Sequence, residues 1–228
     1  MFPKGLIVSS QALEGNPLRN PEYLAVMAEA AVIGGAKAIR ANGYEDISAI
    51  RKRVSVPIIG IDKRKDETGH TIITPDIDGV ARIIDAGATI IALDATVQKS
   101  SIKGDPYELI RKIHERFGIQ VMADISTLEE AKMASEAGAD AVSTTLSGYV
   151  PGALYAPCDK YVPDFSLLRE ILDARLSAKL VAEGRFWRIE DVKKAFDMGI
   201  HAMVIGKAIT NPMAITTYFN SVIEGDVK

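Results

Sequence analysis

Four glycines mark places where a helical apolar pattern stops and an apolar strand begins: Gly35, Gly87, Gly138 and Gly199, separated by 52, 51 and 61 residues. Each lies in a segment of one form, over 30–40, 81–94, 131–144 and 194–206. Glycine ends a helix at little cost because it enters the left-handed region that other residues avoid. Between these segments lie four more apolar runs, which stop at Gln11, Lys63, Asp124 and Glu183, separated by 52, 61 and 59 residues. The unit is two strand–helix pairs, used four times. That predicts an α/β fold, a (β/α)8 TIM barrel, as a single domain over residues 1–228. An open doubly wound sheet is the rival, but no G-x-G-x-x-G follows the first strand, and eight units are many for an open sheet.

Strands are expected over 5–8, 36–39, 57–61, 89–93, 119–123, 141–144, 179–182 and 202–205. They are short and apolar without strict alternation, as when both faces of a parallel sheet are buried. Helix starts are marked by Pro21, Pro106 behind Asp105, the Thr127/Glu130 capping box, Asp164 and Pro212. The stretch 62–70 reads as a charged loop, and 147–163 as the longest irregular segment. Apolar residues make up 47% of the 228 and charged residues 25%, so a full core is available. No apolar run is long enough to span a bilayer, and residues 1–10 lack a signal-peptide layout. With Cys158 as the only cysteine, these features predict a cytoplasmic protein in a reducing compartment. A net charge of −3 without basic blocks argues against nucleic acid, and leaves room for an anionic small substrate held by a local cationic cluster.

In such a barrel the chemistry sits at the C-terminal ends of the strands. The polar residues there are Gln11, Arg40, Lys63, Asp94, Asp124, Thr145, Glu183 and Arg185. Singly they have ordinary explanations: Lys63 lies in the charge run Asp62-Lys63-Arg64-Lys65, and Asp94 and Asp124 could cap helices. As a set on one rim they predict an active site, with Lys63 and Glu183 as its working pair. Phosphate is expected between the loops after strands seven and eight, at Gly184 and Gly206, with Lys207 and Arg185 adding positive charge. His70, His114 and His201 are too dispersed for a zinc site, and no histidine lies near Cys158 in sequence, so no metal and no cysteine nucleophile are expected.

Several segments carry a resemblance, in order along the chain: Leu6-Ile7-Val8-Ser9-Ser10-Gln11, Ile39-Arg40-Ala41-Asn42-Gly43, Ile61-Asp62-Lys63-Arg64, Ala92-Leu93-Asp94-Ala95-Thr96, Ala123-Asp124-Ile125-Ser126-Thr127, Thr145-Leu146-Ser147-Gly148 and Ala182-Glu183-Gly184-Arg185. Together they resemble the bacterial N-acetylmannosamine-6-phosphate 2-epimerase family over essentially the whole chain. The resemblance implies interconversion of N-acetylmannosamine 6-phosphate and N-acetylglucosamine 6-phosphate in sialic acid or aminosugar breakdown, without cofactor, by a homodimer. It puts the catalytic lysine on Lys63, the paired glutamate on Glu183, and sugar binding on Gln11, Arg40 and Asp124, to which Arg185 is added from its place on the rim. The chain departs from the family pattern at Ser10, where cysteine is common, and at Lys207 and Asn211, where serine and arginine are common. Lys207 and Arg188 are the candidate replacements for that arginine. A Schiff-base aldolase using Lys63, and a catalytically silent sugar-phosphate-binding regulator, are the competing readings.

Overall fold

The computed structural model describes residues 1–149 and 161–225. Eight parallel strands close into a barrel: β1 (Gly5–Ser9), β2 (Ala38–Asn42), β3 (Ile58–Ile61), β4 (Ile90–Asp94), β5 (Gln120–Asp124), β6 (Ala141–Ser143), β7 (Lys179–Glu183) and β8 (Ala202–Ile205). Each strand pairs with its neighbours in sequence, and β8 pairs back to β1, Leu6 opposite Met203. The helices are α1 (Pro21–Ile33), α2 (Tyr44–Arg51), α3 (Ile77–Asp85), α4 (Pro106–Phe117), α5 (Leu128–Glu136), α6 (Phe165–Ala174), α7 (Ile189–Met198) and α8 (Pro212–Ile223). The expected fold and its single layer of enclosing helices are present. The four repeat glycines adopt φ of +104°, +108°, +99° and +104°, the left-handed conformation that their spacing implied.

Alternation along each strand sorts side chains between two cores. Ile7, Ala38, Ile59, Ala92, Met122 and Val181 point into the barrel. Val8, Ile39, Ile58, Ile91, Val121 and Ala182 face the helices. Gly60 lies on the outer face, where a Cβ would sit 2.6 Å from that of Ala88 and 3.2 Å from Ile47 Cδ1. Gly60→Ala is therefore expected to overpack the β3–helix seam and cost roughly 1–3 kcal/mol, read as a shift in urea midpoint with unchanged slope.

The structure corrects the reading of 62–70. Lys63–Lys65 and Thr71–Ile73 form an antiparallel hairpin, with Lys63 opposite Ile73. Its charged strand is anchored by Arg64, whose Nε donates to Asp62 Oδ2 (2.8 Å) and Nη1 to Asp76 Oδ2 (2.6 Å). Ile72 and Ile73 on the second strand are buried, 1% and 5% exposed, and Ile73 joins the inner cluster of the barrel. Thr74 fastens the hairpin to the barrel: its hydroxyl donates to the Ala92 carbonyl at 2.7 Å and accepts from the Asp62 N–H at 3.0 Å. A one-turn helix, Lys207–Thr210, also follows β8 where a plain loop was expected. Cys158 and most of the 147–163 segment lie outside the described residues.

Candidate active site

The inward register that places Ile7, Ala38, Ile61, Ala92 and Met122 in the barrel carries polar side chains two residues further on, at its mouth. Arg40 is the centre. Its side chain is 2% exposed and binds Asp124, itself fully buried, through both terminal nitrogens. Nη1 also donates to Glu183 Oε2 and to Thr145 Oγ1 (3.1 Å). Thr145 in turn donates to Asp124 Oδ1 (2.6 Å) and lies 2.9 Å from Glu183 Oε2. Thr144 fixes the Glu183 backbone, donating to its carbonyl at 2.9 Å and accepting from its N–H at 3.0 Å.

Electrostatics follow from burial. Burial pulls the Arg40 guanidinium down, but Asp124 and Glu183 outweigh it and hold the group above its usual range. Burial pushes the Asp124 carboxyl above the usual carboxylate range, opposed by Arg40. Lys63 is lowered to about 8, first by burial and then by the charge of Arg40, with Glu183 and Asp124 pulling the other way. Its Nζ donates to Gln11 Oε1 at 2.8 Å, and Gln11 is oriented by donating to Ser9 Oγ at 2.7 Å. The Lys63 N–H donates to Asn42 Oδ1 at 2.9 Å.

Five expected residues, Gln11, Arg40, Lys63, Asp124 and Glu183, thus meet at one mouth. Lys63 and Glu183 feel each other's charge, but Glu183 is not among the hydrogen-bond partners of Lys63; Arg40 holds Glu183 and depresses Lys63. Glu183 uses only Oε2 in the network, and its side chain is 17% exposed, which leaves Oε1 outside the hydrogen bonds of the described residues. Asp124 has both oxygens engaged, which suits it to holding Arg40. Asn42, Ser143 and Thr144 were missed by the sequence reading. The two-residue register from Ala38–Arg40 and from Ala141 would have found the first two.

A cleft of about 560 Å³ opens beside this network, lined by Lys63, Asn42, Asp94, Thr145 and Leu146 and by the hairpin residues Arg64, Thr71 and Ile73. A family model described as "Putative N-acetylmannosamine-6-phosphate epimerase" matches residues 24–225. The chain belongs to this epimerase family. Relatives named "Putative N-acetylmannosamine-6-phosphate 2-epimerase" include one from Caldanaerobacter subterraneus subsp. tengcongensis, 48% identical over 96% of this chain and 91% of that protein. Another, from Clostridioides difficile, is 45% identical over 96% of each. A solved structure of the N-acetylmannosamine-6-phosphate 2-epimerase from Clostridium perfringens superposes with a TM-score of 0.88 at 41% identity, covering 96% of this chain and 93% of that one. A thiamine phosphate pyrophosphorylase from Pyrococcus furiosus, TM-score 0.61 at 16% identity, shares the fold alone.

In this epimerase-family chain the residues expected at phosphate divide into two groups. Gly184 has φ +107°, and Gly206 opens the one-turn helix, whose first N–H groups have no partner within it. A Cβ on Gly206 would sit 3.3 Å from Ser9 Cβ, so the backbone approaches β1 closely. Lys207 is exposed, and its charge reaches Lys63. Arg185 goes elsewhere. At φ +63° its guanidinium donates from Nε to the Val162 carbonyl (2.7 Å) and from Nη1 to that of Ser147 (3.0 Å), bracing the segment that leaves β6. Asn211, at the family's arginine position, caps α8 by accepting from the Ala214 N–H at 3.1 Å, and Ser10 donates to the Leu24 carbonyl at 2.8 Å. Arg188 pairs with Asp191 at 3.0 Å. Of the histidines, His201 contacts the Phe2 carbonyl at the opposite end of the barrel, and His114 the Gly138 carbonyl on the surface. Among the described residues no group of three or more His, Cys, Asp or Glu side chains is arranged to hold a metal.

Proposed function

We propose that this protein interconverts N-acetylmannosamine 6-phosphate and N-acetylglucosamine 6-phosphate by removing and returning the C2 proton. The observation that carries this reading is Lys63, held by Gln11 at the mouth and lowered to about 8 beside the buried Arg40. A C2–H next to an open-chain C1 aldehyde is acidic enough for a neutral amine to take. A free lysine, near 10.4, is almost wholly charged at neutral pH, whereas one near 8 supplies a useful neutral fraction. Arg40 is a fixed positive charge for the enolate oxygen that develops. Glu183 Oε1 is the second group able to hold the proton. Gly184, Gly206 and Lys207 offer N–H groups and charge to the phosphate, and Arg185 supports them by bracing the neighbouring loop.

Proton NMR of N-acetylmannosamine 6-phosphate with the protein in D2O tests this directly. The expected result is N-acetylglucosamine 6-phosphate carrying deuterium at C2; a time course with cleavage products or without exchange overturns it. Because the charged ammonium cannot act as base, kcat/KM is expected to rise with pH through about 8 and then level. The same shift has a stability sign. The folded pKa lies below the unfolded one, so Lys63 weakens the fold at neutral pH and the deficit closes as pH rises from about 8 to about 10.4. A depressed lysine also suits imine chemistry, the aldolase reading. Borohydride added during turnover is expected to leave the protein mass unchanged, and a reduced adduct on Lys63 would favour that reading instead.

We also place the protein in the cytoplasm, as a homodimer that binds neither membrane nor nucleic acid. No described helix is long and apolar enough to cross a membrane. Phe219 and Ile223 of α8 stay 60% and 82% exposed, which supports a second copy covering that helix; sedimentation at micromolar concentration reads the mass.

A further inference from the structure

Asp94 is a buried carboxylate at the mouth that the chemistry above does not use. It ends β4 on the inward face, two residues beyond Ala92, and its Cα pairs with that of Asp124. On the other side β4 pairs with β3, Ile59 opposite Ile90; carried forward, that register sets Asp94 level with Lys63. The side chain is 4% exposed, yet it lines the cleft. One oxygen, Oδ1, takes three donors: the Thr96 N–H (2.9 Å), the Thr96 hydroxyl (2.7 Å) and Lys103 Nζ (2.6 Å). Lys103 is itself 4% exposed and also bonds the Thr96 carbonyl, so it locks the carboxylate in place. Oδ2 takes no donor. Among the described residues the only fully enclosed side-chain nitrogen or oxygen without a partner is Arg40 Nε, so Oδ2 opens on the cleft.

The apolar counterpart is Ile73. It lies opposite Lys63 on the hairpin, lines the same cleft, and is tied to β4 through the hydrogen bond from Thr74 to Ala92. Leu146, packed against the same inner cluster, completes that wall. A fixed acceptor and a small apolar wall, both level with the base, match a group that donates one N–H and carries a methyl next to the reacting carbon.

We infer that Asp94 and Ile73 form the subsite that reads the acetamido group, with Oδ2 accepting the amide N–H and Ile73 packing on the acetyl methyl. This rests on the aminosugar-phosphate reading above. Asp94 is a substrate-binding residue in this account, and Lys103 is the positioning residue behind it.

Asp94→Asn tests the acceptor without changing its shape. The Thr96 N–H and Lys103 keep the amide oxygen on their side, which turns Nδ2, a donor, toward the cleft. An amide N–H only donates and is rejected, whereas a hydroxyl can turn to accept. The expected result is a KM for N-acetylmannosamine 6-phosphate raised roughly tenfold or more, with kcat within about threefold. Calorimetry with glucose 6-phosphate, which carries hydroxyl at C2, is expected to give an affinity within about twofold of wild type. Equal losses for both ligands, or for neither, overturn the assignment. Ile73→Ala tests the other half independently and is expected to raise kcat/KM for the N-propanoyl analogue over the N-acetyl substrate by roughly fivefold. An unchanged ratio overturns the methyl contact. Wild-type turnover is scored first: its absence removes the functional reading and the subsite together, whereas turnover with an indifferent Asp94→Asn removes the subsite alone.

Discussion

Lys63→Ala is expected to abolish epimerisation, with kcat reduced by roughly 10⁴-fold or more, while sugar-phosphate binding persists. A positioned general base contributes about 10²–10⁴ on its own. Here the same residue also draws on the desolvation and the Arg40 charge that make it basic at neutral pH. The phosphate grip proposed at Gly184, Gly206 and Lys207 lies on β7 and β8, across the barrel from β3, so it survives the truncation. The decisive measurement is deuterium entry at C2, because it reports proton removal even when net conversion is slow. Exchange at the wild-type rate in the variant would transfer the role to Glu183. Calorimetric binding of N-acetylglucosamine 6-phosphate within a few-fold of wild type separates lost chemistry from a lost site.

The largest effect on stability is expected for Arg40→Met. Arg40 and Asp124 are both essentially inaccessible, and Glu183 is the third member of the network. Removing the cation leaves buried carboxylates uncompensated, which costs about 3–5 kcal/mol. In a chain of this size that is a fall in Tm of roughly 10 °C. The pH dependence identifies the cause. Asp124 is already raised above its unfolded range by burial, and without Arg40 it rises further. A carboxyl with a raised folded pKa favours the fold when protonated and opposes it once ionised. The deficit is therefore expected to be greatest at neutral pH and to shrink as the solution is acidified. Urea titrations at pH 8 and pH 5 measure it; a deficit equal at both would place the loss in packing instead of charge.

The barrel was legible because its signals are local. Gly35, Gly87, Gly138 and Gly199 end helices through backbone geometry that only glycine adopts freely, so their spacing counts the units directly. The rim was legible for a similar reason: each strand stops at a polar residue, and in a closed barrel those ends converge. What the spacing could not supply was pairing. It named Lys63 and Glu183 as partners, but the hydrogen bonds run from Arg40 to Glu183 and from Lys63 to Gln11, because which side chains meet depends on length and direction at the mouth. Arg185 shows the same limit. A φ of +63° after Gly184 turns its guanidinium onto the carbonyls of Ser147 and Val162, a long-range outcome with no local signature. The hairpin was hidden by charge: Lys63-Arg64-Lys65 reads as solvated loop until Asp62 and Asp76 are seen to neutralise Arg64.

That hairpin has a consequence for how narrowly the proposed base is specified. Lys63 faces the mouth because it follows Ile61 by two residues on the inward register of β3, and it stands opposite Ile73 in a two-stranded ribbon whose side chains alternate faces at every step. The choice is binary. A slip of one residue would not leave a weaker base in the site but would present Arg64, a cation that stays protonated throughout the working pH range. Reversible charge, the property on which proton transfer depends, is thus set by the frame of three residues, and the Thr74 clasp on β4 is what keeps that frame.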